Sequence, residues 1–319
     1  MRSRGNAPRK YTTGQYSRAR ETGDVLVEAF GLRRDPFLDT ADPAFYYETI
    51  ACANGRRRLG ECLVAGRGLA VVVGPVGAGK TTLCNAVVDD VLSNESVRAG
   101  LVLDPTFVDE REFLVAIGES LGRAIDSGSP LRELKEELKH VLFESVAHNL
   151  QYVLFVDEAQ LLPEPLLETL RALLNYQIDD RKLLAVALFG QMELAGALNR
   201  RPNLRDRVAT WLELGPLAES EAAALLDHRL RGAGFSGERS PFSREAAALA
   251  WRLSAGLPRR LTMLAREAME VAVERGARDV CAADMFAAAR RLPATENGST
   301  PAPLRQRERA RWPWSWFAR

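Results

Sequence analysis

Histidine, cysteine and long apolar runs are scarce in this chain of 319 residues. Its three histidines share no metal-binding spacing and its four cysteines form no CxxC pair, so a structural zinc site is not expected. No run of 18 apolar residues occurs, which argues against a transmembrane helix. With 46% hydrophobic and 27% charged residues, the composition is that of a folded globular protein rather than of a disordered chain.

Charge is distributed unevenly along the sequence, although the net charge is only +1. Residues 1–20 contain six basic residues and no acid, and residues 305–319 contain five arginines against one glutamate. Basic segments bind phosphates or anionic lipid headgroups, and a solvated end without a partner is the alternative. We expect a disordered basic arm at 1–24, a Pro-rich linker at 293–304 and a basic, Trp-rich tail at 305–319. The tail suits docking on a protein partner, a membrane interface or nucleic acid.

Between these ends, predicted strands and helices alternate. Short apolar runs predict five strands separated by helical segments, at 69–74, 100–104, 152–157, 183–189 and 211–214. This alternation indicates a parallel sheet covered by helices on both faces. After Pro216 the strand pattern ends and four helical segments rich in Ala and Leu follow. We therefore expect an α/β domain at 25–216 and an all-helical domain at 217–292.

A glycine-rich phosphate-binding motif follows the first predicted strand. The residues from Gly74 to Thr81 match the pattern GxxxxGK[ST], and a helix is predicted from Lys80. In such a loop the backbone amides face an anion, the lysine reaches the β- and γ-phosphates, and the Ser/Thr hydroxyl binds Mg²⁺. A glycine-rich turn with a chance lysine is the alternative. The motif predicts ATP and Mg²⁺ as ligands, with nucleotide contacts from Gly74, Pro75, Val76, Gly77, Ala78, Gly79, Lys80, Thr81 and Thr82.

Two adjacent acids end a later predicted strand. Asp157 and Glu158 follow four apolar residues, at the sheet edge where ligands bind in α/β proteins. We expect Asp157 to orient the Mg²⁺ shell together with Thr81, and Glu158 to polarise the attacking water. An acidic cap on the next helix is the alternative. The presence of the phosphate-binding motif upstream favours the nucleotide site.

Further motifs resemble those of the AAA+ ATPases, in particular the branch of general secretion pathway protein A (ExeA-like). They occur in the order typical of that family and cover roughly residues 28–292. The segments that carry the resemblance are Phe30–Phe37 (FGLRRDPF), Asp42–Tyr46 (DPAFY), Asp157–Gln160 (DEAQ), Phe189–Leu194 (FGQMEL), Arg205–Val208 (RDRV), Leu214–Leu217 (LGPL) and Ser254–Leu261 (SAGLPRRL).

The resemblance implies a fold and additional site residues. The fold is a P-loop α/β domain with a five-stranded parallel sheet in the order 5-1-4-3-2, followed by an all-helical lid. Gln191 would read the γ-phosphate, and Arg259 would tie the lid to the nucleotide. Arg207, or Arg205 beside it, would be the arginine finger that acts on the ATP of a neighbouring subunit. The alternatives are a helix cap for Gln191, surface salt bridges for Arg205 and Arg207, and a helix-terminal arginine without a ligand for Arg259.

The sequence therefore predicts an AAA+ ATPase that couples ATP hydrolysis to the assembly or remodelling of a partner. The resemblance implies a partner in a secretion or export system, a homo-oligomer and a cytoplasmic location, with the tail able to meet the inner-membrane surface. A DNA-associated ATPase of the TniB/TnsC transposition type is the first alternative. A nucleotide-dependent scaffold that does not hydrolyse ATP is the second.

Overall fold

The computed structural model describes residues 25–38, 42–123, 125–179 and 181–293. They belong to two compact units, one spanning Asp39–Pro216 and the other combining the segment that ends at Leu38 with the residues from Leu217 onward. The arm predicted at 1–24 and the tail predicted at 305–319 lie outside the described residues, as does the predicted linker apart from Pro293.

The unit at 39–216 alternates strands and helices. Its strands are β1 (Leu69–Val73), β2 (Val97–Val102), β3 (Gln151–Val156), β4 (Gln177–Ile178), β5 (Arg181–Lys182), β6 (Leu184–Gly190) and β7 (Val208–Glu213). Its α-helices are α1 (Ile50–Val64), α2 (Lys80–Leu92), α3 (Glu110–Ser120), α4 (Leu131–Ala147), α5 (Glu164–Leu173), α6 (Met192–Asn199) and α7 (Pro202–Arg205). Short 3-10 helices occur at Pro43–Phe45 and Ala159–Leu161.

Five strands form one parallel sheet in the order β2-β3-β6-β1-β7, which confirms the α/β class. The strand numbers differ from the predicted 5-1-4-3-2 because the unpredicted antiparallel hairpin of β4 and β5 precedes β6 in the chain. The five sheet strands, numbered among themselves, follow 5-1-4-3-2. The four hairpin residues are exposed or half-buried, so no apolar periodicity marks them in the sequence.

The edge strands β2 and β7 begin earlier than the sequence predicts. The predicted ranges were 100–104 and 211–214, whereas the observed strands start at Val97 and Val208. Each edge strand pairs on one side only, and residues such as Arg98 are exposed. Their first residues therefore lack the continuous apolar run that the fully buried inner strands β1, β3 and β6 provide.

Alternate residues of the sheet pack into separate cores on its two faces. On one face, α1 and α2 bury side chains such as Leu59 and Leu83 against Val72. On the other face, the helices α3 to α6 bury side chains such as Phe113 against Leu154. Because β1, β3 and β6 are parallel neighbours, the loops that follow them lie together at one edge of the sheet, where a ligand can bind.

The other unit contains the helices α8 (Glu219–Gly232), α9 (Arg244–Ser254), α10 (Pro258–Glu274) and α11 (Ala282–Arg291). Small and aliphatic side chains fill its interior, including Leu261, Leu264, Ala265 and Ala268 of α10. Several of these are alanines, which let helices approach closely. From Leu217 to Pro293 the regular secondary structure consists of these four helices, with one isolated bridge between Phe242 and Val280.

Residues 25–38 belong to this helical unit, whereas the sequence analysis assigned them to the α/β domain. Residues 25–29 are helical, and the rings of Phe30 and Phe37 are buried. Phe37 packs edge-on against Phe242 with ring centroids 5.9 Å apart, and the Arg33 amide donates to the Ala233 carbonyl at 2.8 Å. These partners lie about 200 residues away in the chain, so neighbouring sequence could not reveal the assignment.

Candidate functional site

The loop between β1 and α2 makes a sharp turn that depends on two glycines. Gly77 has φ of 79° and Gly79 has φ of 93°, a region that residues with a Cβ adopt only under strain. Helix α2 begins at Lys80 without a side-chain cap. Among the described residues, no oxygen accepts a hydrogen bond from the amides of residues 80–82. Free amides at a helix N-terminus favour an anion, as the motif predicts.

Lys80 lies inside this loop and is only 6% exposed. Its Nζ donates to the carbonyl oxygens of Gly74 and Pro75, both at 3.0 Å. Burial lowers the pKa of Lys80, and the nearby carboxylates of Glu158 and Asp157 oppose that effect. The ammonium can exchange these carbonyls for phosphate oxygens, with which hydrogen bonds are charge-assisted on both sides.

Thr81 and Asp157 bring the two motifs together. The Thr81 Oγ1 donates to Asp157 Oδ2 at 2.7 Å, although the residues are 76 positions apart. Asp157 is 3% exposed and follows the last residue of β3. A hydroxyl and a carboxylate oxygen are the kind of ligands that Mg²⁺ takes, together with water and substrate phosphates. The described residues contain no group of three His, Cys, Asp or Glu side chains that could hold a metal by themselves. The site therefore fits a Mg²⁺ ion shared with a bound nucleotide.

Glu158 adopts a left-handed conformation with φ of 49°, which is uncommon for a residue with a side chain and often marks functional sites. Its amide donates to Asp157 Oδ1 at 2.9 Å. Its Oε2 accepts from Gln160 Nε2 at 2.5 Å and from Gln191 Nε2 at 3.5 Å. The residue that caps α5 is Pro163 rather than either acid, and Gln191 makes no side-chain capping bond to α6.

The two arginines considered as the finger lie at the opposite end of the sheet. The Arg207 carbonyl accepts from the amide of Leu69, the first residue of β1, whereas the phosphate-binding loop follows the last residue of that strand. At about 3.3 Å per residue, β1 separates Arg207 from the loop of its own chain by roughly 13 Å. Arg207 Nη2 donates to Asn175 Oδ1, while Arg205 is exposed. The structure thus does not bring either arginine to the site of the same chain.

Arg259 lies in the other unit. It occupies the first turn of α10, directly after Pro258, and its side chain is exposed. Its contact with a nucleotide stays a prediction. Val76 is exposed on the loop, and Thr82 is exposed in the first turn of α2. Pro75 and Ala78 of the loop are half-buried.

One polar contact of the site, made by Gln160, was missed by sequence reasoning. Its amide bonds to Glu158 and also accepts from the Gln191 backbone at 2.9 Å. The only signal was its place as the last residue of the DEAQ motif, two positions after Glu158.

Comparison with known proteins finds a family model for this part of the chain. Residues 64–198 match the family model described as AAA domain, a range that includes the phosphate-binding loop, both acids and Gln191. With the fold and the nucleotide-binding motifs, this match shows that residues 64–198 are similar to the AAA domain and that the chain resembles the AAA+ ATPases. It is 31% identical over 268 residues to General secretion pathway protein A of Aeromonas hydrophila. The alignment covers 83% of this chain and 48% of the relative, so the chain spans about half the length of that protein.

Solved structures show the same fold. Drosophila ORC bound to DNA matches with a TM-score of 0.61 and 19% identity, over 90% of this chain and 68% of that one. The Aeropyrum pernix ORC2 protein in its ADPNP–ADP complexes matches with a TM-score of 0.58 and 18% identity, over 79% and 72%. At sequence identities this low, the similarity is evidence for a shared fold only. In the part of the chain that is described, no helix has the length and apolar character needed to cross a bilayer.

Proposed function

We propose that this chain binds ATP with Mg²⁺, hydrolyses it, and uses the cycle to act on a partner. The observation that carries the proposal is the 2.7 Å contact between Thr81 and Asp157, which joins the phosphate-binding loop to the acids after β3. The amides at the start of α2 and the Lys80 ammonium bind the phosphates. Thr81 and Asp157 would hold a Mg²⁺ ion, which would supply positive charge beside the bound phosphates.

Hydrolysis requires a water beside the γ-phosphate. Glu158 lies next to Asp157 at the same sheet edge, and its carboxylate polarises that water by accepting a proton or a strong hydrogen bond. Gln191, whose side chain points toward the Glu158 carboxylate at 3.5 Å, monitors the γ-phosphate from the neighbouring strand β6. Under these roles, substitution of each site residue should affect either ATP binding or ATP turnover.

The arginine finger acts in trans in this proposal. The Arg207 carbonyl pairs at the start of β1, about 13 Å along that strand from the loop of the same chain, so Arg207, or Arg205 beside it, serves the ATP of another subunit. A cation at that place stabilises the charge of the transferred phosphoryl group. The chain therefore forms a homo-oligomer in which neighbouring subunits complete the site.

The kind of partner is inferred from the name of the curated relative. General secretion pathway protein A is named for a secretion pathway, and at 31% identity over most of this chain it supports a protein partner in a secretion or export assembly. We place the ATPase on the cytoplasmic side of the inner membrane, where such a partner would be reached.

The test is ATP turnover by the purified full chain with and without Mg²⁺, followed by DNA binding at several salt concentrations. We expect Mg²⁺-dependent phosphate release and no tight association with duplex DNA. Binding to DNA that weakens steeply with salt would instead support the DNA-associated alternative. Saturable ATP binding without any phosphate release would support the scaffold alternative.

A further inference from the structure

A single amide side chain connects the residues after β3 and β6. Gln160 Nε2 donates to Glu158 Oε2 at 2.5 Å, and Gln160 Oε1 accepts from the Gln191 backbone N–H at 2.9 Å. One end of the amide therefore holds the acid proposed to polarise water. The other end holds the backbone of the residue proposed to monitor the γ-phosphate.

The donors around Glu158 are distributed unequally between its two oxygens. Oε2 accepts from Gln160 and, at a longer 3.5 Å, from the Gln191 side chain. In the described part of the chain, no donor lies within hydrogen-bond distance of Oε1. A carboxylate can accept on both oxygens, so this arrangement fixes one oxygen and leaves the other for a water molecule.

Close packing holds the Gln160 amide in place. A Cβ at Gly190 would lie 3.0 Å from Gln160 Oε1 and 2.8 Å from a methyl carbon of Leu194. The end of β6 therefore needs a residue without a side chain for the amide to approach the Gln191 backbone. The left-handed backbone of Glu158 further restricts where its carboxylate can point.

We propose that Gln160 is a positioning residue, which orients Glu158 so that Oε1 faces the attacking water and couples that orientation to the backbone at Gln191. The inference rests on the proposed ATPase function. Gln160 acts through Glu158 and does not itself contact the reacting atoms. Its loss should lower turnover while leaving the phosphate-binding loop, and hence ATP binding, intact.

The first experiment measures steady-state ATP turnover of full-length wild type, Gln160→Ala and Gln160→Glu. For Gln160→Ala we expect kcat to fall by about 10–100-fold, the range seen when an outer hydrogen-bond partner of a functional group is removed, with KM changed by less than about twofold. Gln160→Glu keeps the shape but replaces the donating Nε2 with an oxygen, so the hydrogen bond to Glu158 Oε2 is lost. We expect its kcat to fall at least as far as that of Gln160→Ala, again with little change in KM.

A second, matched pair isolates the backbone contact. Gln191→Ala removes the side chain but keeps the N–H that donates to Gln160, whereas Gln191→Pro removes both. Gln191 has φ of −80° and precedes α6, so proline fits its conformation and breaks no helical hydrogen bond. We expect kcat of Gln191→Pro to be lower than that of Gln191→Ala by a further factor of about ten.

Outcomes separate this inference from the function on which it rests. Wild-type turnover with an unchanged kcat in Gln160→Ala or Gln160→Glu, or equal kcat in the two Gln191 variants, would overturn the positioning role and leave the ATPase intact. Absence of turnover in wild type would overturn the proposed function and this inference with it.

Discussion

The Asp35 carboxylate accepts a hydrogen bond from Arg266, 231 residues further along the chain, at 2.8 Å. Its other oxygen accepts from the Phe37 amide at 2.9 Å, and its side chain is 5% exposed. Arg266 also pairs with Glu270 at 2.6 Å. This buried carboxylate therefore accepts one hydrogen bond within the turn before Phe37 and one from α10, and so connects the first described segment to that helix.

Loss of this ion pair should destabilise the helical unit. Asp35→Asn keeps the side-chain volume but removes the charge that Arg266 contacts. We expect the free energy of unfolding to fall by about 1–3 kcal/mol, measured by urea denaturation. The control is Arg57→Ala, which breaks an exposed pair with Glu61 and should cost less than about 1 kcal/mol. Equal losses in the two variants would show that the Asp35 contact contributes no more than a surface pair.

The stability of the helical unit should depend on pH through Asp284. Burial raises the pKa of this carboxyl, but hydrogen bonds from Arg275 and from the Cys281 amide outweigh burial, so the pKa is lowered overall. A lowered pKa in the folded state means that the contribution to stability is fully present above the unfolded value of about 3.9 and is lost as the pH falls through the folded value. Asp284→Asn should therefore reduce stability at pH 7 and flatten its decline below about pH 4. A parallel decline in wild type and Asp284→Asn would contradict this.

The positive φ of Gly79 should matter for nucleotide binding. An alanine there has open space around its Cβ but must adopt φ of 93°, at a cost of about 1–2 kcal/mol. We expect ATP affinity of Gly79→Ala to fall by about 5–30-fold. Gly60→Ala is the matched control, because Gly60 lies within α1 with nothing within 4 Å of an added Cβ. It should leave ATP affinity unchanged and stabilise the fold by about 0.5–1 kcal/mol. An unchanged ATP affinity in Gly79→Ala would contradict the claim that nucleotide binding depends on the positive φ of this residue.

The choice between the two arginines can be made by mixing subunits. Arg205 is exposed, whereas Arg207 is engaged by Asn175, so we expect Arg205→Ala and Arg207→Ala both to bind ATP normally. The one that is the finger should lose turnover about 10³-fold or more. Mixing that variant with Glu158→Gln subunits should restore activity at interfaces that pair an intact arginine with an intact acid. Full-rate hydrolysis by a diluted monomer would contradict a finger that acts in trans.

Much of the site could be predicted because it depends on local pattern. The runs Leu69–Val73 and Gln151–Val156 are buried on both faces, so their strand character is visible in sequence, and the motifs that follow them must meet at one sheet edge. The contact between Thr81 and Asp157 is the direct result.

The rest depends on contacts between distant parts of the chain. The partners of Phe30–Phe37 lie in the helical unit, which hydrophobic periodicity cannot show. The hairpin of β4 and β5 and the first residues of β2 and β7 carry too little buried apolar surface to form a pattern. Gln160 owes its contacts to the register of β3 beside β6, which places its amide next to the Gln191 backbone.

The most direct test of the account compares ATP binding and turnover in Lys80→Ala and Glu158→Gln. In the proposed mechanism Lys80 contacts the phosphates of bound ATP, so Lys80→Ala should lose ATP binding and, with it, turnover. Glu158 is proposed to act on the water, so Glu158→Gln should bind Mg²⁺·ATP with wild-type affinity and lose turnover by about 10²-fold or more. Wild-type ATP affinity in Lys80→Ala, or undiminished turnover in Glu158→Gln, would contradict the assignment of this sheet edge as an ATP-hydrolysing site.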